Sequence, residues 1–371
     1  MRTRAAVLRE PETEYEIVEL EVLDPGPGEV LVEMAYAGLC HSDEHLRHSN
    51  PGGRYPIVGG HEGSGVVQAV GPGVTGVAPG DHVVTSFLPA CGHCRFCARG
   101  KSNLCDKGAT IASGQLPSGT FPFRLDGEPL GGFCMVGAFA RHTLLSEFSC
   151  VRIEPHVPLD TAALVACSVP TGWGSAVYSG DVHPGDTVVV VGLGGVGVNA
   201  VQGAVHAGAL HVIGVDPVAM KREFAESLGA THTVADSGEA VGLARQLSRG
   251  TGADVVVVTV GKMSAEVYAG AAACLGKAGT LVLTALADRP GEGDVSLNGQ
   301  LATVFEHRIQ GSLFGSCNPF RDIPALLRLH EEGRLELDRL ITRRYSLDEV
   351  NQGYRDQAAG VTVRGLLDHS R

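Results

Sequence analysis

Thr187-Val188-Val189-Val190-Val191-Gly192-Leu193-Gly194-Gly195-Val196-Gly197 is the stretch that decides the fold. A run of consecutive valines suits a parallel strand covered on both faces, since neither side has to meet water. The next six residues fit G-x-G-x-x-G and lead into a helix-length segment, 195–207. There the glycines permit a tight turn, close approach of backbone to a pyrophosphate and close helix–strand packing, while the helix N-terminus favours anionic phosphate. Without that strand and helix the same residues would read as an ordinary glycine-rich turn. Gly192, Gly194, Gly195, Val196 and Gly197 are therefore candidate dinucleotide contacts.

Further apolar strands are expected at 211–216, 254–259 and 280–284, alternating with helices at 195–207, 219–228, 238–249 and 264–275. Alternation of this kind predicts an α/β domain with a doubly wound (Rossmann) parallel sheet over 171–312. Asp216 ends the second strand, 19 residues after Gly197. An acidic side chain there accepts from an adenosine ribose and repels a 2′-phosphate, so the expected cofactor is NAD, not NADP. The same residue also reads as a cap of the next helix. Lys221 reads as a ribose contact or as an exposed helix lysine. Residues 1–170 look mostly β, with strands at 29–34 and 65–70 bounded by Pro/Gly turns. Helices at 324–332 and 347–357 and a strand at 361–367 are expected to close the chain.

The 371 residues predict two or three domains, with 44% hydrophobic and 19% charged residues placing the chain among compact proteins. With 29 Lys+Arg against 41 Asp+Glu, a net charge of −12 repels polyphosphate backbones, and nucleic acid is not an expected partner. No basic run resembles a membrane anchor, and no segment has the length or apolar character of a signal peptide or a membrane span, so a cytoplasmic protein is expected. Four of the ten cysteines fall between residues 91 and 105, which turns the question of cysteine from disulfides to metal.

Cys91, Cys94, Cys97 and Cys105 stand at C-x2-C-x2-C-x7-C, the soft ligand set of a closed structural zinc site. An iron–sulfur cluster uses similar spacing. His93, inside this loop, reads as a surface residue. Three further candidates are dispersed: Cys40 in Gly38-Leu39-Cys40-His41-Ser42-Asp43, His61 in Gly59-Gly60-His61-Glu62-Gly63, and Cys167 in Ala166-Cys167-Ser168-Val169-Pro170. Spacing alone does not join them, and each reads singly as an ordinary buried thiol or imidazole.

In this order, GLCHSDEH, GGHEGSGVV, CGHCRFCARGKSNLCD, VGLGGVG and CSVPTGWGSA resemble the zinc-dependent alcohol dehydrogenases of the medium-chain dehydrogenase/reductase family. The segments 108–115, 259–262 and 313–319 are more narrowly similar to the nicotinoprotein branch, the N,N-dimethyl-4-nitrosoaniline-dependent alcohol dehydrogenases. The resemblance implies a mostly β GroES-like catalytic domain at 1–170, to which 313–371 returns, beside the Rossmann NAD-binding domain. It also implies that Cys40, His61 and Cys167 hold a catalytic zinc, making two Zn2+ per chain. Asp43 would orient His61 and Glu62 would lie near the metal, with Ser42 and His45 carrying the substrate proton outward. His41 and Arg364 would meet the cofactor pyrophosphate, Thr171 would lie beneath the nicotinamide, and Phe87 would wall the substrate pocket. Ser168 stands where glycine is usual, and Phe121, Phe123, Phe133 and Phe139 read as pocket lining or packing.

The implied substrate is a small-molecule alcohol, primary and aliphatic or benzylic, with its aldehyde. NAD(H) would stay bound through turnover and be recycled by a second acceptor. The same residues accommodate an ordinary NAD-releasing dehydrogenase, one acting on a thiol adduct of formaldehyde included, and a redox-inactive binding member of the fold. A homo-oligomer, dimer or tetramer, is also implied, with 280–287 adding edge strands across a two-fold axis.

Overall fold

A computed structural model describes residues 1–50, 52–289 and 291–371. The chain divides into two compact units, Met1–Cys167 with Asn318–Arg371, and Ser168–Cys317. The sequence divisions were expected at 170/171 and 312/313.

The first unit contains β1 (Arg2–Leu8), β2 (Glu16–Val22), β3 (Glu29–Gly38), α1 (His41–His48), β4 (Ile57–Val58), β5 (Gly63–Val70), β6 (His82–Thr85), β7 (Phe123–Leu125), β8 (Glu128–Gly132), β9 (His142–Ser146), β10 (Cys150–Arg152) and α2 (Leu159–Leu164). Among the described residues β1, β2, β7, β8 and β4 close a barrel around Val7, Leu20, Val58, Phe123 and Leu130. Strand β3 is the trunk of the neighbouring sheet. One edge of it pairs with β5 along the whole strand, and the other with β9 near its start. Its last residues, Tyr36 to Gly38, pair with a strand from the far end of the sequence.

In the second unit come α3 (Ser168–Gly174), β11 (Thr187–Val191), α4 (Gly197–Ala207), β12 (His211–Val215), α5 (Ala219–Ser227), β13 (His232–Val234), α6 (Ser237–Leu247), β14 (Ala253–Val258), α7 (Ala265–Cys274), β15 (Leu275–Leu283), α8 (Gly299–Val304) and β16 (Arg308–Gly311). Their parallel sheet runs β13-β12-β11-β14-β15-β16 among the described residues. This is the 3-2-1-4-5-6 order of a doubly wound dinucleotide fold, whose switch point lies between β11 and β14. Val188, Val189 and Val190 are wholly buried, as strands covered on both faces require. Each contributes about 1.5–3 kcal/mol by leaving water.

The chain then returns to the first unit as α9 (Pro319–Glu331), β17 (Ile341–Tyr345), α10 (Val350–Ala358) and β18 (Arg364–Asp368). Three expectations need correction. Residues 280–283 are not an edge, because β15 is flanked by β14 and β16, and the exposed β16 is outermost. Helix α9 begins at Pro319, five residues before the expected start, because Asn318 caps it by accepting from Phe320 N and proline fits the first turn. The last strand begins at Arg364, three residues late.

Candidate metal centres and dinucleotide site

Helix α1 begins directly after Cys40, so its first turn carries His41, Ser42 and Asp43. Cys40 Sγ and Ser42 Oγ lie 3.6 Å apart. His41 and His45, one turn apart, meet ring to ring at 5.0 Å. Asp43 is wholly buried, and its Oδ1 accepts from Gly60 N at 3.0 Å while Oδ2 stands 3.2 Å from His61 Nδ1. One carboxylate thus fixes the backbone before His61 and faces its ring.

Cys40 Sγ, a His61 ring nitrogen, a Glu62 carboxylate oxygen and Cys167 Sγ all lie within 4.8 Å of one another, and all four residues are buried. His61 Nε2 is buried without a hydrogen-bond partner. An orphaned imidazole nitrogen facing two thiols fits a zinc ion, whose catalytic sites take nitrogen and sulfur ligands and leave one position open. The thiol of Cys40 is held well below its ordinary range, chiefly by its hydrogen bond with Cys167 and then by His61 and Arg364. Cys167 is correspondingly pushed up by the same hydrogen bond and by burial.

Arg364 does not lie on the surface. Only 3% exposed, it donates from Nη2 to Glu62 Oε2. Burial pushes the Glu62 carboxyl up to about 8, against the opposing pull of Arg364. A Cβ at Gly38 would strike both side chains, which explains a glycine at the end of β3. Phe87 and Phe133 stand edge-on to His61, with centroids at 5.4 and 5.5 Å. Phe123 and Phe139 are instead fully buried core residues, and Phe121 stacks under Arg54. Sequence reasoning missed Cys134, whose thiol burial pushes up to about 12 with the charges of His61, Asp43 and Cys40 also acting on it. Cys134 and Met135 are left-handed at φ 53° and 62°, a conformation that costs non-glycine residues about 1–3 kcal/mol.

Cys91, Cys94, Cys97 and Cys105 likewise converge within 4.8 Å. Cys94 N approaches Cys91 Sγ at 3.4 Å, Cys97 N approaches Cys94 Sγ at 3.5 Å, and Cys91 N approaches Cys105 Sγ at 3.4 Å. Amides aimed at sulfur favour thiolate, and those of Cys97 and Asp106 draw Cys94 down to about 6. The arrangement is what a tetrahedral thiolate site needs. His93 is exposed, its Nδ1 2.8 Å from Cys91 O.

In the second unit Gly192 is left-handed at φ 92°, and a Cβ at Gly197 would strike the Gly192 carbonyl oxygen. Around Gly194 a Cβ would meet nothing within 4 Å, leaving room for a phosphate against the backbone. Thr259 Oγ1 donates to Gly192 O at 2.6 Å and ties the loop to β14. Asp216 accepts from Leu193 N and Val218 N, both at 2.9 Å, so it braces the glycine loop and caps the next segment as well as presenting its carboxylate. Lys221 is half-buried in the first turn of α5, and Thr171 lies in α3 with its carbonyl accepting from Ser175 Oγ.

Residues 26–155 match the family model described as alcohol dehydrogenase GroES-like domain, and residues 195–332 match that of zinc-binding dehydrogenase. The chain is 52% identical over 370 residues to the NDMA-dependent alcohol dehydrogenase of Amycolatopsis methanolica, covering 100% of both chains. Among solved structures it is similar to an alcohol dehydrogenase zinc-binding domain protein from Burkholderia ambifaria (TM-score 0.91, 32% identity, 99% of each chain). Another is the benzyl alcohol dehydrogenase of Acinetobacter calcoaceticus (TM-score 0.90, 29% identity, 99% of each chain).

Proposed function

From the premise that this chain belongs to the zinc-dependent alcohol dehydrogenases of the medium-chain family, we propose that it interconverts a primary alcohol, aliphatic or benzylic, and its aldehyde with NAD(H). In this reading the cofactor is held through turnover and recycled in place by a second acceptor. The carrying observation is the buried, unpartnered His61 Nε2 grouped with the thiols of Cys40 and Cys167. Similarity to the NDMA-dependent enzyme supports the retained cofactor. Aromatic walls at Phe87 and Phe133, with the likeness to a benzyl alcohol dehydrogenase, support the benzylic substrate.

A zinc ion held by Cys40, His61 and Cys167 supplies a Lewis acid that eases loss of the alcohol proton, and NAD+ at the glycine loop supplies the hydride acceptor. Ser42 Oγ takes up that proton, and His45, three residues on along α1, passes it outward. Asp43 fixes the His61 ring, while Arg364 holds the Glu62 carboxyl beside the metal by donating to its Oε2. Cys91, Cys94, Cys97 and Cys105 hold the second, structural zinc. Asp216 selects NAD over NADP through the ribose, with His41, Thr171, Lys221 and Arg364 as further cofactor contacts. The unit of Met1–Cys167 with Asn318–Arg371 is read as the GroES-like catalytic domain and Ser168–Cys317 as the NAD-binding domain.

The protein is read as a cytoplasmic homo-oligomer, dimer or tetramer. Among the described residues, no helix is long and apolar enough to cross a membrane. Among the described residues strand β16 is the outermost of its sheet and carries the exposed Ile309, and Leu301 and Val304 of the preceding α8 are exposed as well. An unpaired edge with apolar neighbours is a surface that a second copy can cover.

Near-ultraviolet absorbance and fluorescence of the purified, dialysed protein test the cofactor claim. Reduced nicotinamide signal that survives dialysis and disappears on adding aldehyde is expected. A bare protein that oxidises alcohols only with added NAD would overturn retention while leaving the dehydrogenase intact.

A further inference from the structure

Packed against Gly59, two residues before His61, lies a tyrosine pair whose hydroxyls the reaction described above does not use. Tyr15 is 4% and Tyr354 2% exposed, and both hydroxyls are buried without a hydrogen-bond partner. Asp43 Oδ2 is buried too, and beyond His61 Nδ1 at 3.2 Å it has no other hydrogen-bond partner among the described residues. The two phenol rings stack at 5.9 Å with an interplanar angle of 26°, and Phe139 packs against both at 5.6 and 6.4 Å.

Their placement is fixed by the backbone. Asn351, one turn before Tyr354 in α10, accepts from Tyr15 N and donates to Tyr15 O, each at 2.9 Å. The hydroxyl-bearing carbon of Tyr15 lies only 3.0 Å from where a Cβ of Gly59 would stand. Gly59 adjoins Gly60, whose amide Asp43 holds, and Gly60 adjoins His61. Both phenols are raised well above their ordinary value, first by burial and then by the nearby charge of Asp43.

Buried polar atoms nearly always have a partner once ordered water is counted, and an internal water needs two to four polar neighbours in one place. Two buried hydroxyls on stacked rings, both under the charge of the buried Asp43, supply polar neighbours of that kind. We propose that Tyr15 and Tyr354 hold ordered water that completes the hydrogen bonding of Asp43, and so act as positioning residues for the His61 imidazole. The inference rests on reading Cys40, His61 and Cys167 as a metal centre. Each hydroxyl both donates and accepts, so water between them can direct a proton at the second lone pair of Asp43 Oδ2, whose other faces His61 Nδ1, and leave Oδ1 to Gly60.

The test compares wild type with Tyr15→Phe, Tyr354→Phe and the double variant in the full-length protein, with Tyr268→Phe of the other unit as control. Cobalt(II) placed at the Cys40, His61 and Cys167 site reports the imidazole through its visible absorption bands. Each Phe variant is expected to shift those bands, to speed cobalt loss to a chelator roughly tenfold and to lower Tm by a few degrees. The double variant should be no worse than the more damaging single one, since both act through shared water. Unchanged bands and metal loss would overturn the proposal. So would a rise in Tm, the response to removing a hydroxyl that is buried and alone. A high-resolution crystal structure of the wild type should show ordered water bonded to both hydroxyls and to Asp43, and a dry space there would also overturn it. A wild-type protein that binds no metal at this site would refute the metal reading instead. The water and the direction of the Tm change would then decide the inference by themselves.

Discussion

Asp43 ties the site together, because it holds Gly60 N and faces His61 Nδ1 from a fully buried position. Asp43→Asn keeps the shape and removes the charge, so zinc retention and kcat/KM should fall 10- to 100-fold with the fold intact. Zinc analysis beside steady-state kinetics checks this. His369 offers a separate residue-scale test. Burial lowers it to about 4, and its Nε2 bonds to Ala138 O at 2.9 Å. Above about pH 6.5 it is neutral folded and unfolded, and contributes no pH dependence. Between about pH 6.5 and pH 4 only the unfolded chain takes up the proton, so stability falls by roughly 3 kcal/mol as pH drops through that window. Denaturant unfolding at several pH values should show this acid loss shrinking in His369→Gln. Cys91, Cys94, Cys97 and Cys105 were legible as a candidate metal set because their spacing is local, whereas Cys40, His61 and Cys167 were joined only by the family resemblance. The pairing of Arg364 with Glu62, the packing of Phe133 on His61 and that of Tyr15 against Gly59 were not legible, since only tertiary structure brings these residues together.

At the scale of elements, the glycine loop is the most constrained junction. A methyl group at Gly197 would meet the Gly192 carbonyl and crowd Thr259, with no flexible neighbour able to withdraw from the carbonyl. Gly197→Ala should therefore cost about 1–3 kcal/mol and abolish tight cofactor binding. Thermal unfolding and titration with NADH under fluorescence measure both. This loop and its flanking strands were readable because valine runs and G-x-G-x-x-G are local signals. Strand β16 was not, because Arg308-Ile309-Gln310-Gly311 is short, mostly polar and exposed, and owes its strand form to pairing with β15. The start of α9 was readable in principle from Asn318-Pro319, a cap followed by proline, but the apolar periodicity begins later.

For the whole molecule, the sheet order and the return of the C-terminal segment to the first unit follow from pairings between residues hundreds of positions apart, such as Leu367 with Ala37. Such partners leave no spacing signature, so the return was expected from family resemblance alone. The open edge at β16 makes a molecular-scale prediction. Ile309→Lys puts a charge on the exposed edge strand and should shift the oligomer toward smaller species, read by light scattering coupled to size exclusion, with each chain remaining folded. An unchanged mass would place the interface elsewhere.

On the proposed reading the chain holds two distinct metal centres, of which the one built on Cys40, His61 and Cys167 carries the alcohol chemistry. Elemental zinc analysis of wild type and Cys40→Ala, with alcohol-dependent turnover measured on the same samples, tests it most directly. Two zinc ions per chain are predicted for the wild type, one in each thiol-rich cluster. Cys40→Ala should keep one zinc, its fold and no measurable alcohol oxidation. A variant that retained both ions and its activity would rule out Cys40 as a zinc ligand and this cluster as the seat of the alcohol chemistry.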